Sequence, residues 1–145
     1  MTKTEFLEHV AAIRQEVALR FDSTNPHFKN KYLSLNGTLE ALQPFLSASR
    51  LLLTQAPVVT PGGFVIQTVV QSIDAQCDAD GEETGGANVI SGEWPIEAKG
   101  RPQEIAAAST YARRYSILCL FGLCATDDDA EVTESRGAAG LLSKI

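Results

Sequence analysis

Two short stretches of this sequence carry side chains suited to a polyanion. In STYARRY, residues 109–115, Arg113 and Arg114 are adjacent. Guanidinium groups on a rigid helix suit phosphate contact, because their planar donor fork matches phosphate oxygens. The competing reading is a structural ion pair, for example with Asp127, Asp128 or Asp129. In NPHFKNKYLSL, residues 25–35, Lys29 and Lys31 are interleaved with His27, Phe28 and Tyr32. Binders of single-stranded nucleic acid use that mixture, since cations follow the phosphates while flat rings stack on bases. The competing reading is a surface loop in which Phe28 and Tyr32 plug the core and the lysines are merely solvated. Spacing alone does not choose in either case.

Other chemistry is weaker. Asp127, Asp128 and Asp129 are the one hint of a metal site. A nuclease needs carboxylates that converge on Mg²⁺ from separate elements. Three consecutive aspartates point in different directions, and a solvated tail is the simpler reading. No glycine-rich loop is followed by Lys-Ser or Lys-Thr to cradle a phosphate. His9 and His27 are isolated, and no Ser or Cys sits in a recognisable nucleophile motif. Cys119 and Cys124 are five apart in an apolar run without a nearby His, which makes them poor metal ligands. With Cys77 they are expected to be buried free thiols. No catalytic residue, cofactor or metal is therefore expected.

The elements that must position the arginines and lysines follow from periodicity. Pro102 suits a first helical turn, and no Gly or Pro interrupts the chain from Gln103 to Leu120. Ile105, Ala108, Ala112, Tyr115, Ser116 and Cys119 share one side of this helix. Gln103, Thr110, Arg113 and Arg114 share another arc, which Ile117 and Phe121 interrupt. The helix is expected to be buried over most of its circumference and to stop at Gly122. Ala106, Ala107, Ala108, Ser109 and Ala112 are small enough to let it lie close to a sheet.

Upstream, Thr4 is the expected cap of a first helix with Phe6, Val10, Ile13 and Val17 inward, ending near Phe21. Asn36 is the expected cap of a second, from Thr38 to Ala48, in which Pro44 should kink the chain or free the carbonyl of Glu40. Leu51 to Val59 and Phe64 to Ile73 read as strands of a hairpin around Pro61-Gly62-Gly63. Asp74 to Ala87 reads as a mobile polar loop. Asn88 to Ala98 reads as two short strands or as one strand with a bulge. The fold class expected is α+β, an antiparallel sheet meander packed by a long C-terminal helix, with two N-terminal helices.

Composition bounds the partners. The 145 residues form one domain able to bury a core, with 44% hydrophobic and 21% charged residues. No apolar run is long enough to span a membrane, and MTKTEFLEHV lacks the layout of a secretory signal, so a cytoplasmic protein is expected. The net charge of −6 opposes nucleic-acid binding at first sight. However, nine of the eighteen acids sit in residues 78–83 and 127–134. Setting those aside, with Arg136 and Lys144, leaves nine acids against ten bases. A basic face is therefore compatible with the composition without being demanded by it.

The wording of three motifs resembles the Erf (essential recombination function) family of single-strand DNA annealing proteins. They are NPHFKNKYLSL at 25–35, SGEWP at 91–95 and PQEIAAASTYARRYSILCLFGLCATDDD at 102–129. The resemblance spans Phe6 to Asp129, and Thr-Tyr-Ala-Arg-Arg-Tyr followed by an Asp triplet is its most specific part. Ala106-Ala107-Ala108-Ser109 departs from the Gly-Ser usual there, and the acidic loop is longer than typical. The resemblance implies a phage-type protein, acting in the bacterial host cytoplasm, that binds single-stranded DNA. It implies ATP-independent, metal-independent annealing of complementary strands by a homo-oligomeric ring or helical filament. Residues 1–129 would be the annealing domain; residues 130–145, poor in core side chains, read from their own composition as a disordered tail. Lys29, Lys31, Arg113 and Arg114 become backbone contacts, and Phe28, Tyr32, Tyr111 and Tyr115 become stacking or core residues. The alternatives are a metal-dependent nuclease using Asp127 to Asp129 and a protein-interaction module without a DNA role.

Overall fold

A computed structural model describes residues 1–74, 76–77, 80, 83–97 and 99–126. Asp127 to Asp129 and the tail at 130–145 lie outside the described residues.

The chain opens with helix α1, Lys3–Glu16. Its cap is Thr2 rather than Thr4. The Thr2 hydroxyl accepts from the Glu5 backbone N–H at 3.2 Å, while the Glu5 carboxylate accepts from the Thr2 N–H at 2.7 Å. This reciprocal box needs a Glu three residues after the cap, and Leu7 occupies that place for Thr4. Phe6 and Ile13 are buried from this helix. It ends at Glu16 instead of near Phe21, because Val17 turns extended at φ −75°, ψ 118°. Strand β1, Leu19–Arg20, follows and pairs in parallel with β9, Ala125–Thr126. Strand β2, Ser23–Thr24, pairs antiparallel with β3, Lys31–Tyr32.

Helix α2, Leu35–Ala48, is capped by Ser34, not Asn36. The Ser34 hydroxyl accepts from the Gly37 N–H at 3.0 Å and donates to Asp22 Oδ2 at 2.6 Å. Asn36 lies inside the helix and donates to Glu40 Oε1 at 2.8 Å. The helix continues through Pro44, which faces solvent with Glu40. Water can reach the carbonyl that loses its partner there.

The main sheet runs β4 (Leu51–Thr60), β5 (Gly63–Ser72) and β8 (Val89–Ile96), all antiparallel, with β5 central. The hairpin turn holds only Pro61 and Gly62, because Gly63 already pairs with Thr60. At φ +121°, Gly63 adopts a backbone that other residues rarely reach. The third strand is single and unbroken, its register running from Phe64↔Ile96 to Gln71↔Val89. Ser91-Gly92 is thus neither a turn nor a bulge. The expected loop after Asp74 carries a small antiparallel pair, β6 (Gln76–Cys77) with β7 (Glu83–Gly85).

Alternate residues of β5, Ile66, Thr68, Val70 and Ser72, face the core. Helix α3, Pro102–Phe121, crosses that face against β5 and β8 and meets α1 and α2. It ends at Gly122 in the left-handed region, φ 64°. Only Ala112, Ser116, Ile117 and Phe121 are buried from it. This narrows the expected burial over most of its circumference. The sheet and the two N-terminal helices cover its other side incompletely, and Thr110, Tyr111 and Cys119 remain exposed. Phe6, Ile13, Leu42, Val70 and Ile117 form the centre of the core. The Thr68 and Ser116 hydroxyls bond each other inside it.

Candidate nucleic-acid interface

Tyr111, Arg114 and Tyr115 occupy successive turns of α3 at spacings of three and four, which places them on one helix face. Opposite them lies the loop from Asn25 to Asn30, which joins β2 to β3. Its ends close through the Asn25 N–H donating to the Asn30 carbonyl at 2.9 Å. The Asn25 side-chain oxygen accepts from the N–H groups of His27 and Phe28 at 2.9 and 3.3 Å. Lys29 takes a left-handed φ of 59°, and its N–H donates back to the Asn25 carbonyl at 2.8 Å. These bonds build a tight projection that holds Phe28 at 81% exposure. β3 then returns Tyr32 towards α3.

The chain has three tyrosines and one tryptophan, and all four meet here. The Arg114 guanidinium carbon lies 5.3 Å from the Tyr32 ring centre, 5.5 Å from Tyr111 and 5.2 Å from Tyr115. These distances are in the cation–π range. Tyr111 and Tyr115 are 4.3 Å apart between ring centres, and Trp94 of β8 stacks on Tyr115 at 5.8 Å and 27°. The Tyr115 hydroxyl, with its charge and burial adding, pushes the Tyr111 phenol up against the opposing effect of Arg114. Tyr111 therefore stays a neutral phenol well beyond neutral pH. Arg114 makes no ion pair among the described residues.

This cluster is the junction of three adjoining grooves. One of about 560 Å³ runs between α3 and the loop, past Asn25, Asn30, Tyr32, Tyr111 and Arg114. A second, of about 600 Å³, shares Asn30, Tyr32, Arg114 and Tyr115 with it and continues past Lys31 to Cys124. A third, of about 460 Å³, shares Ala107 and Tyr111 with the first and ends at Trp94 and Glu97. Together they form a path along α3 whose floor alternates rings with a guanidinium.

The structure thus brings together Tyr32, Tyr111, Tyr115 and Arg114, and places Lys31 on the same path. Phe28 and Lys29 stand on the projecting loop. Arg113 is turned to the sheet. Its Nε donates to Gln55 Oε1 at 3.1 Å, and Gln55 Nε2 donates to the Arg113 carbonyl at 2.9 Å and to Thr68 Oγ1 at 2.8 Å. Trp94 was absent from the expected site residues. Its phase with Ile90, Gly92 and Ile96 on one strand was the available signal, since that side of β8 faces the helix. Cys119 and Cys124 are exposed rather than buried. Cys119 lies on the groove side of α3, and Cys124 follows the Gly122 cap and lines the same groove.

Among the described residues no three His, Cys, Asp or Glu side chains gather to hold a metal ion. None of their helices is long and apolar enough to cross a membrane.

Fold and groove together define an α+β domain that presents a cationic, aromatic path along one helix. The model of the ERF superfamily matches residues 6–139, and the chain belongs to that superfamily. Membership points to single-strand annealing and recombination, the work of annealing proteins rather than of known enzymes. No curated protein and no solved structure matched the chain.

Proposed function

We propose that this protein binds single-stranded DNA along the α3 groove and anneals complementary strands without nucleotide or metal. The observation that supports this most is the convergence of every tyrosine on Arg114, with the single tryptophan stacked on one of them, Tyr115. A guanidinium among ring faces offers phosphate contact and base stacking in one place. Arg114 and Lys31 follow the backbone, and Tyr32 and Tyr111 supply exposed faces for bases. Phe28 and Lys29 extend the path on the loop. One chain offers a short groove, whereas annealing displays many bases at once, so the active form is a homo-oligomer, a ring or helical filament. Base pairing drives the reaction, since stacking contributes about 1.4 kcal/mol per base-pair step.

The test mixes complementary labelled oligonucleotides with the protein in EDTA and without ATP. Accelerated duplex formation is expected, with light scattering reporting an oligomer. Strand cleavage that requires Mg²⁺, without annealing in EDTA, would instead support a nuclease.

A further inference from the structure

Cysteine is among the residues most often buried, yet Cys119 and Cys124 are both exposed free thiols. Cys119 stands one helical turn beyond Tyr115, and Cys124 follows the Gly122 cap. Both line the second groove, of about 600 Å³, together with Lys31, Tyr32 and Arg114. Two nucleophilic sulfurs therefore open into the same space as the guanidinium and the ring. A substituent on either sulfur would occupy volume that a strand needs. The guanidinium also favours an anionic reagent entering that space.

We infer that Cys119 and Cys124 form a thiol-modification site that closes the groove to DNA, and that an anionic low-molecular-weight disulfide of the glutathione type is its reagent. This rests on the proposed use of the groove for single strands. A cysteine loses its proton to solvent, and the thiolate attacks one sulfur of the disulfide. The protein–sulfur bond forms as the reagent's S–S bond breaks. The departing thiolate carries the electron pair and takes up a proton. The protein thiol is oxidised and half of the disulfide is reduced, so no further oxidant is needed. A dithiol reductant reverses the exchange.

The test treats the full-length protein with glutathione disulfide, locates the adduct by mass spectrometry and measures affinity for a labelled single-stranded oligonucleotide. The adduct should fall on Cys119 or Cys124 and weaken binding about tenfold, as for one lost stacked base, with recovery in dithiothreitol. Cys119→Ser combined with Cys124→Ser, which retains Cys77, should bind equally well with and without the disulfide. Bound oligonucleotide should also slow iodoacetamide labelling of both thiols in the untreated protein. An adduct at either position that leaves affinity unchanged, or labelling at the same rate with DNA bound, overturns the inference alone. Failure of the untreated protein to bind the oligonucleotide overturns both this inference and the proposed function.

Discussion

Arg113 and Arg114 are neighbours in sequence and should differ in what they do. About 100° of helix separates them. Arg114 enters the groove among three rings, while the Nε of Arg113 is held by Gln55 at 3.1 Å. Replacing each by Gln separates the roles. Arg114→Gln removes the proposed phosphate contact and should lower the log–log salt slope of single-strand binding by about 0.7. Between 50 and 200 mM salt, that makes the variant's affinity loss about 2.6-fold smaller than the wild type's. At low salt the variant should bind roughly 10- to 160-fold more weakly, the range for a lost charge-assisted hydrogen bond of about 1.5–3 kcal/mol. Arg113→Gln should leave the slope unchanged and destabilise the fold by about 1 kcal/mol, the net worth of an ordinary intramolecular hydrogen bond, because the side chain is half exposed. In a chain of this size that shifts Tm by about 2–4 °C. Fluorescence anisotropy of a labelled oligonucleotide across a salt series gives the slope, and calorimetry gives Tm. Equal loss of slope in both variants, or a loss confined to Arg113→Gln, would refute the division of roles.

Gly37→Ala should destabilise the protein by about 1–3 kcal/mol. Its Cβ would collide with Asp22 Oδ2, which the Ser34 hydroxyl holds in place, and thermal melting checks this. The Asp22 carboxyl is raised by burial, but the stronger combined pull of hydrogen bonds from Ser34 and Ser23 keeps it below the ordinary value of 3.8. A depressed folded pKa means stability present above 3.8 and lost as pH falls through the lower folded value. Asp22→Asn should therefore flatten the acid limb of a stability–pH curve, which urea titrations from pH 5 downwards would measure. Trp94 is the chain's single tryptophan and stacks on Tyr115, so single-stranded oligonucleotide should change its emission saturably. Tyr111→Ala should reduce that response, and an unaltered Trp94 spectrum at saturating oligonucleotide would place the strand elsewhere.

The long helix was legible because its signals are local. Pro102 opens it, Gly122 closes it, and no breaker lies between. The hairpin was legible for the same reason, with β-rich runs flanking a Pro-Gly turn. The caps were not. Ser34 outranks Asn36 because Asp22, twelve residues earlier, fixes its hydroxyl, and no local window contains that partner. The β1–β9 pair joins chain segments more than a hundred residues apart. Both candidate stretches were visible as clusters of cations and rings, but their division of labour was not. Which arginine meets the sheet depends on Gln55, fifty-eight residues away. The thiols were assigned to the core because Cys119 shares an apolar run, and apolar runs do not reveal which side of a helix lacks a covering layer.

A protein of net charge −6 can offer a phosphate path if positive charge is concentrated where the strand lies. At physiological salt, exposed charges are screened beyond about 8 Å, so distant carboxylates scarcely weaken a cation inside the groove. The rings add a second advantage. An arginine confined between aromatic faces has already lost much of its rotamer freedom, and binding need not supply that ordering again. Each ring also has more than one face to offer. Tyr115 is engaged by Trp94, Tyr111 and Arg114 and is half-buried, so it acts as the spine of the cluster. Tyr111 and Tyr32 touch the same guanidinium yet remain 50% and 37% exposed. The rings that position the cation thus keep surface on which a base can stack. In the proposed reading, phosphate contact and base display would thereby be coupled at one point of α3, an arrangement that a scatter of surface lysines would not provide.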